Sequence, residues 1–297
     1  MNDLEEKLME DILGEEDINL ERSLLIVSGL NSEKQIEQYM QKISRIHNGF
    51  VTHLKWKSPA ILSISTQYTV YDRARHLFQY LWNTKPRRCN GNFLLTDVID
   101  AQLDPDTYRP VGSCIGLTSL YTVLGLREDL NLVILSNGSH ILNRLKTQGN
   151  YCDIENTDPL GFDCDGSDRF FEEYDIICLV AHVFNSRGIM SERKNDLGKA
   201  AGDYKKAVIV NPYYANALNN RGNVRFKRRD YAGALKDYDR AICLKPEFAE
   251  AYCNRGITME KLGNRTAAIR DVKKALEIDP EYDDAVHCLG ILDKDQR

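Results

Sequence analysis

A 34-residue period runs through the last third of the chain and constrains its fold more than any other feature. Small residues and prolines recur at fixed offsets within it, at Gly188, Gly222, Gly256 and Gly290, at Pro212, Pro246 and Pro280, at Ala200, Ala234 and Ala268, and at Ala207, Ala241 and Ala275. One further position in the same register carries Tyr204, Tyr238 and Val272. Several residue types in one register indicate an array of structural repeats, in which each unit packs against its neighbours.

The period, the small residues and the closing proline resemble the tetratricopeptide (TPR) repeat, a pair of antiparallel helices. In such a pair, glycine on the first helix and alanine on the second let the two backbones approach closely. Proline ends the second helix, because it lacks an N–H donor and disfavours helix at the preceding residue. We expect Phe184, Leu218, Tyr252 and Val286 to fill the gap beside the glycines. We expect three repeats, 181–214, 215–248 and 249–282, followed by a solvating end helix from 283 with a polar tail.

Stacked repeats form a curved groove, which we expect the first helices to line. The predicted lining is rich in amides and cations, at Asn185, Arg193, Asn219, Asn220, Asn223, Lys227, Asn254 and Lys261. Such side chains can hold an extended peptide backbone or an acidic segment of a protein partner. The alternative is that they are ordinary solvated helix residues.

Length and composition favour a soluble protein of two domains. The chain has 297 residues, of which 42% are apolar and 28% charged, and a net charge of −5. It has no apolar run close to the roughly 20 residues that cross a membrane, and its acidic N-terminus is unlike a secretory signal. We therefore expect a cytoplasmic protein with reduced thiols and no membrane association. Its eight cysteines include no CxxC pair, so we predict no metal and no cofactor.

The two halves of the chain carry opposite charge. Residues 1–180 hold 17 basic and 27 acidic residues, whereas residues 181–297 hold 22 basic and 17 acidic residues. The excess of basic residues in the repeats is too small and too mixed to indicate nucleic-acid binding, although it can steer an acidic partner. The oligomeric state is not predicted from these patterns.

Residues 1–178 form a domain of the α+β class by their hydrophobic pattern. Helical periodicity marks the start of the chain, a stretch around Ile36 to Ile43, a stretch from Tyr71 to Trp82, and the segment NFLLTDVIDAQL. Short β-type runs follow, namely NLVILS, HILNRL and YCDIENT, separated by glycine- and asparagine-containing turns. The order predicts helices first and then a small antiparallel sheet.

Cys114 is the strongest candidate for a nucleophile. Pro110, Gly112 and Ser113 interrupt the chain before it. Apolar residues at helical spacing follow and predict a helix with one buried face, formed by Ile115, Leu117, Tyr121 and Leu124. Ser113 is a natural N-cap, which puts Cys114 in the first turn. There the positive end of the helix dipole favours the thiolate, the form that attacks.

A nucleophilic cysteine needs a base and a group that orients the base, and His140 and Glu155 fit these roles. His140 begins the run HILNRL after the turn residues Asn137 and Gly138. If Lys146 to Gly149 form a four-residue hairpin loop, His140 lies opposite Glu155 on one face of the sheet. Asp153 shares that face and is the alternative third member.

The order of cysteine on a helix, histidine on one strand and acid on the next resembles the transglutaminase-like superfamily of papain-fold proteins. The blocks GSCIGLTSLY, GSHILNRL and CDIENT are similar to those of its prokaryotic branch, which often occurs beside TPR repeats. The resemblance covers about residues 70 to 165. Glutamate stands where the wider superfamily usually has aspartate followed by proline, and the aromatic residue often found near the histidine is missing from the sequence around His140.

The resemblance implies a fold, an activity and three roles. The fold is a papain-like helix-plus-antiparallel-sheet domain, and the activity is acyl transfer at a protein or peptide amide through a thioester. Cys114 would be the nucleophile, His140 the general base and acid, and Glu155 the group that holds the imidazole tautomer. Water as the second substrate gives hydrolysis or deamidation, and an amine gives transamidation.

Two alternatives compete with this interpretation. Cys114 can be a buried small apolar residue, which is the commoner role of a free cysteine. The N-terminal domain can also be a catalytically inactive member of the superfamily that acts, together with the repeats, as an adaptor binding protein partners.

Overall fold

The computed structural model describes residues 3–14, 16–57, 69–87, 91–138, 140–164 and 171–294. Cys89, Ser139 and the last three residues of the predicted polar tail lie outside these ranges. The chain divides into two compact units, Met1–Val183 and Phe184–Arg297. No helix within the described ranges is both long enough and apolar enough to span a bilayer.

The first unit begins with helices, and these carry the apolar stretches seen in the sequence. They are α1 (Asp3–Leu13), α2 (Leu20–Val27), α3 (Glu33–Lys57), α4 (Val70–Thr84), α5 (Leu95–Leu103) and α6 (Cys114–Leu126). Of these, α2 was not expected from the sequence. It begins at Asn19, whose side chain accepts a hydrogen bond from the backbone N–H of Arg22, so a good N-cap compensates for its short length.

A five-stranded sheet follows the helices. Its strands are β1 (Leu132–Ser136), β2 (Ile141–Lys146), β3 (Tyr151–Ile154), β4 (Phe162–Cys164) and β5 (Glu172–Tyr174), in the spatial order β4-β3-β2-β1-β5. All four pairings are antiparallel. The predicted order of helices and then a small antiparallel sheet is therefore confirmed, whereas the short edge strands β4 and β5 were not expected from the sequence.

The predicted pairing of β2 with β3 is wrong by two residues. Leu145 lies opposite Cys152 and Lys146 opposite Tyr151, whereas the expected four-residue loop paired Leu145 with Asn150. The turn is tighter because the N–H of Thr147 donates to the carbonyl of Asn150 at 2.9 Å, and Gly149 supplies a φ of 84°. A shift of two residues keeps every side chain on its expected face of the sheet.

Helix α6 is the centre of this unit. The predicted buried face is present at Leu117, Tyr121 and Leu124, and burial extends to every residue from Gly116 to Gly125. The Tyr121 hydroxyl donates to the Ala74 carbonyl on α4 at 2.8 Å. A helix that is apolar on all sides can be covered on all sides, and here other helices and the sheet provide the cover.

The rest of the chain is a row of paired helices with the predicted repeat. The helices are α7 (Cys178–Arg193), α8 (Leu197–Val210), α9 (Ala215–Lys227), α10 (Tyr231–Leu244), α11 (Ala249–Lys261), α12 (Arg265–Ile278) and α13 (Asp283–Lys294). The second and third pairs lie within 215–248 and 249–282, while α7 begins three residues before 181. The division between the two compact units falls inside α7.

The repeating glycines meet the second helix of their own pair. A Cβ added at Gly188 or Gly222 would lie 2.5 Å from the ring of Tyr204 or Tyr238. At Gly256 it would lie 3.0 Å from the Ala268 carbonyl and from Val272. The expected close approach of the two helices is thus present at Gly188, Gly222 and Gly256, where the missing side chain makes it sterically possible.

Candidate active site

Cys114 is the first residue of α6 and is half-buried. Two glycines allow this end of the helix to lie against α5, because a Cβ at Gly112 or Gly116 would be 2.6 Å from a Val98 methyl group. Ser113 has the extended backbone of an N-cap residue, yet its hydroxyl makes no capping hydrogen bond. The expected position of Cys114 in the first turn is observed, whereas the expected side-chain cap is not.

His140 is held by the turn between β1 and β2. Its backbone N–H donates to Oδ1 of Asn137 at 2.8 Å, and the Asn137 N–H donates to the His140 carbonyl at 3.3 Å. Gly138 has a φ of 89° in this turn, a conformation in which glycine is unstrained. The imidazole is three-quarters buried, with a side-chain exposure of 25%.

Glu155 follows β3 and points one carboxylate oxygen at His140. Its Oε2 forms a short contact with Nε2 of His140. Its Oε1 accepts hydrogen bonds from the backbone N–H and the hydroxyl of Thr157, at 2.9 and 2.6 Å. With both oxygens engaged, the carboxylate has a fixed orientation toward the imidazole.

The imidazole also interacts with the Cys114 side chain, so the three predicted residues lie together. The hydrogen bond with the Cys114 side chain is the largest cause that raises the pKa of His140 to about 9. The hydrogen bond and charge of Glu155 raise it further, while burial opposes them. Burial also acts against the charge of Glu155, but the hydrogen bonds from His140 and Thr157 outweigh it and lower the pKa of that carboxyl. The charged forms of His140 and Glu155 therefore support each other at neutral pH.

Asp153, the alternative third member, is engaged elsewhere. Its two carboxylate oxygens accept from Nε and a terminal nitrogen of Arg144 at 2.6 and 2.8 Å. Arg144 lies directly opposite it on β2. A bidentate pair of this kind fixes the aspartate, so Glu155 is the acid that contacts the imidazole.

Two neighbours of the site were missed by sequence reasoning. The ring of Phe171 lies 6.4 Å from that of His140, between centroids, and supplies the aromatic neighbour that the sequence around His140 lacks. Phe171 is far away in the chain, so no local pattern indicates it. Thr157 was detectable, because a threonine two residues after an acidic residue in a turn is a common hydrogen-bond partner for it.

The amides predicted for the repeat groove divide into two groups. Asn185 and Asn219 are buried and accept hydrogen bonds from the next repeat, through Asn220 at 3.0 Å and Asn254 at 3.1 Å respectively. These contacts repeat along the array and connect adjacent first helices. Their side-chain oxygens are thus used between repeats.

The other predicted groove residues are more accessible. A pocket of about 200 Å³ is lined by Asn223, Phe226, Lys227, Tyr238, Asn254 and Ile257. Lys227 also pairs with Glu192 at 2.5 Å. Arg193 and Lys261 are exposed. The pocket thus combines apolar walls with amide groups and one cation.

Comparison with known proteins bears on the repeats. Two family models match, described as "TPR repeat" over residues 222–263 and "Tetratricopeptide repeat" over residues 249–288. No curated protein matches the chain.

Solved structures of TPR domains are similar to part of the chain. The first TPR of Spaghetti (RPAP3), bound to the HSP90 peptide SRMEEVD, is 24% identical, with 39% of this chain and 92% of that chain covered and a TM-score of 0.38. The Arabidopsis OM64 TPR domain is 23% identical, with 40% and 98% covered and a TM-score of 0.39. The first TPR domain of human RPAP3 is 24% identical, with 38% and 90% covered and a TM-score of 0.38.

The family models confirm TPR repeats over residues 222–288, which lie wholly within the second unit. TPR repeats indicate binding of protein partners. The C-terminal part of this chain is a set of tetratricopeptide repeats that indicates protein–protein interaction.

Proposed function

We propose that the N-terminal unit is a transglutaminase-like domain of papain type that performs cysteine-dependent acyl transfer on protein or peptide amides. The observation that carries the proposal is the imidazole of His140, which contacts the Glu155 carboxylate and also interacts with the Cys114 side chain. A nucleophile, a base and a group that orients the base, joined in this order, constitute a catalytic triad.

The first half-reaction forms a thioester. The Cys114 sulfur attacks the amide carbonyl, a C–S bond forms, and the carbonyl oxygen takes up negative charge. The backbone N–H of Cys114, at the start of α6, helps to bind that oxygen. The C–N bond then breaks as His140 gives its proton to the leaving amine.

The second half-reaction releases the acyl group. His140 takes a proton from water or from an acceptor amine, which attacks the thioester, and the Cys114 sulfur leaves. Glu155 stabilises the imidazolium in both steps, because its carboxylate is ionised and fixed by Thr157. Water gives hydrolysis or deamidation, and an amine gives transamidation.

The experiment for this proposal follows amine release from a mixture of glutamine- and asparagine-containing peptide amides. Wild type should release ammonia or amine, and peptide mass spectrometry after acid quenching and digestion should detect an acyl adduct on the Cys114 peptide. Cys114→Ser, which is nearly isosteric, should retain the fold and show neither. Turnover that persists in Cys114→Ser would remove the proposed nucleophile.

The repeats, within a C-terminal domain of about 181–297, are proposed to recruit a protein substrate or partner to the enzyme. Support comes from the pocket that contains Asn223, Lys227 and Asn254, where apolar walls and polar groups suit an extended peptide. The exposed cations Arg193 and Lys261 extend the same chemistry along the first helices. Asn185 and Asn219 serve the groove indirectly by holding neighbouring first helices together.

The competing function is an inactive adaptor that only binds partners. It is favoured by the TPR repeats themselves, which indicate partner binding whether or not the N-terminal unit is catalytic. Release of no amine from any peptide by wild type, combined with unexceptional reactivity of Cys114, supports the adaptor.

A further inference from the structure

A chain of buried hydrogen bonds crosses the N-terminal unit beside the candidate site. The Asn156 side chain donates to Oδ1 of Asn143 at 2.8 Å, and Asn143 donates to the Thr122 hydroxyl at 2.7 Å. The Thr122 hydroxyl donates to the Thr118 carbonyl at 2.7 Å. Asn143 and Thr122 have no exposed surface, and Asn156 has 1%.

Each end of this series of hydrogen bonds lies close in sequence to a residue of the candidate triad. Thr118 and Thr122 lie on α6, one and two turns after Cys114. Asn143 lies on β2, three residues after His140. Asn156 follows Glu155 directly in the chain. The hydrogen bonds thus join the three elements that carry the nucleophile, the base and the acid.

The two inner side chains of the series, Asn143 and Thr122, each donate one hydrogen bond and accept another, which fixes their geometry. Asn143 accepts from Asn156 and donates to Thr122, while Thr122 accepts from Asn143 and donates to α6. Displacement of β2 or of the turn after β3 relative to α6 leaves at least one buried polar group without a partner, which is costly. Apolar packing alone permits small sliding of the sheet on the helix, whereas this series permits little.

We propose that Asn143 and Asn156 are positioning residues, which hold the His140 imidazole between Cys114 and Glu155 through the buried series Asn156–Asn143–Thr122. The inference rests on the proposed function. It adds that the reactivity of Cys114 depends on amides that touch neither the sulfur nor the substrate.

The test compares single and double leucine variants, since leucine is close to asparagine in size. Asn143→Leu removes an acceptor of the Asn156 amide and the donor to Thr122, and Asn156→Leu leaves Oδ1 of Asn143 without its donor, so each should lower thermal stability. The double variant removes both amides, and an apolar pair can restore much of the stability. The readout is the rate of iodoacetamide alkylation of Cys114 relative to the exposed Cys243 at about pH 6.5, measured by peptide mass spectrometry on the native full-length protein.

The expected result separates positioning from stability. The Cys114-to-Cys243 ratio should fall at least about tenfold in both single variants and stay low in the more stable double variant. Ser28→Ala is the matched control, because its hydroxyl is a buried acceptor for the Leu95 N–H at 3.0 Å and lies outside the series. Ser28→Ala should lower stability and leave the ratio unchanged.

Retention of the wild-type ratio in the folded double variant overturns the inference while the proposed function stands. A Cys114-to-Cys243 ratio near one in wild type instead contradicts the proposed function, and the inference that rests on it. If the leucine variants do not fold, Thr122→Val decides, since it keeps the shape and removes the acceptor for Asn143. An unchanged ratio in folded Thr122→Val overturns the inference, and a lowered ratio supports it.

Discussion

At the scale of single residues, the candidate site depends on one imidazole with two partners. The Cys114 side chain and the Glu155 carboxylate both raise the pKa of His140, to about 9. Thr157 contributes by fixing the far oxygen of Glu155. Asp153 lies two residues away but is paired with Arg144. The two acids therefore differ in role although they share a face of the sheet.

Replacing the two acids one at a time tests this difference. Glu155→Gln removes the charge that supports the imidazolium and should slow alkylation of Cys114 at neutral pH by about tenfold, the effect of one pKa unit. Asp153→Asn is the matched control, because its carboxylate faces Arg144, and it should leave the rate within about twofold. The measurement is the pH–rate profile of Cys114 in both variants. A larger effect in Asp153→Asn than in Glu155→Gln contradicts the assignment.

A second histidine makes stability depend on pH. His182 on α7 is buried, with 4% of its surface exposed, and burial lowers its pKa to about 4. In the unfolded chain His182 takes up a proton as the pH falls through about 6.5. In the folded chain it does so only near pH 4. The stability due to neutral His182 is thus present above about pH 6.5 and is lost as the pH falls toward 4.

Urea unfolding at about pH 7 and pH 5 measures this loss. Wild type should lose on the order of 2 kcal/mol through His182 between these values, and His182→Gln should lose that much less. His287→Gln, at an exposed histidine, is the control and should behave as wild type. Equal acid sensitivity of wild type and His182→Gln contradicts the expected effect.

At the scale of elements, the repeats are set by turn chemistry as well as by packing. The second helices α8, α10 and α12 have N-caps at Asp196, Asp230 and Asn264, 34 residues apart, each accepting from the N–H three residues later. The residue before each cap, Asn195, Arg229 or Gly263, has a φ between 59° and 80°. Both features follow the period, and the Asp and Asn caps were detectable in the sequence.

The glycine period predicts opposite effects at two equivalent positions. Gly222→Ala brings a methyl group to 2.5 Å from the Tyr238 ring, and such overpacking should destabilise the second unit by about 1–3 kcal/mol. Gly290→Ala is the matched control, because nothing lies within 4 Å of its added Cβ. It should stabilise α13 by up to about 1 kcal/mol through helix propensity. Thermal unfolding of both variants gives the comparison, and destabilisation of equal size contradicts the packing argument.

The sequence predicted the elements better than their register. The repeat helices follow from residue types that recur at a fixed interval of 34 residues. The pairing of β2 with β3 depends on the backbone of Gly149, and the tight turn there shifted it by two residues. Glu155 still faces His140, because a shift of two preserves the face. Phe171 and the Asn143–Asn156 contact depend on long-range packing, which no local pattern contains.

At the scale of the whole molecule, two compact units carry the two proposed activities. The chemistry is assigned to Met1–Val183 and the partner groove to Phe184–Arg297. Residues 1–180 have an excess of acidic residues, and residues 181–297 have an excess of basic residues. Because the triad and its supporting hydrogen bonds all lie in the first unit, a packing defect in the second, such as Gly222→Ala, should leave Cys114 alkylation unchanged.

The central claim is that His140 activates Cys114, and the pH dependence of Cys114 alkylation tests it most directly. In wild type, Cys114 should react at least about tenfold faster than Cys243 near pH 6.5, and this ratio should fall above about pH 9 as His140 loses its proton. In His140→Ala the ratio should be close to one at every pH. Identical profiles of Cys114 in the two proteins, or a Cys114 that reacts more slowly than Cys243 in wild type, would contradict the account.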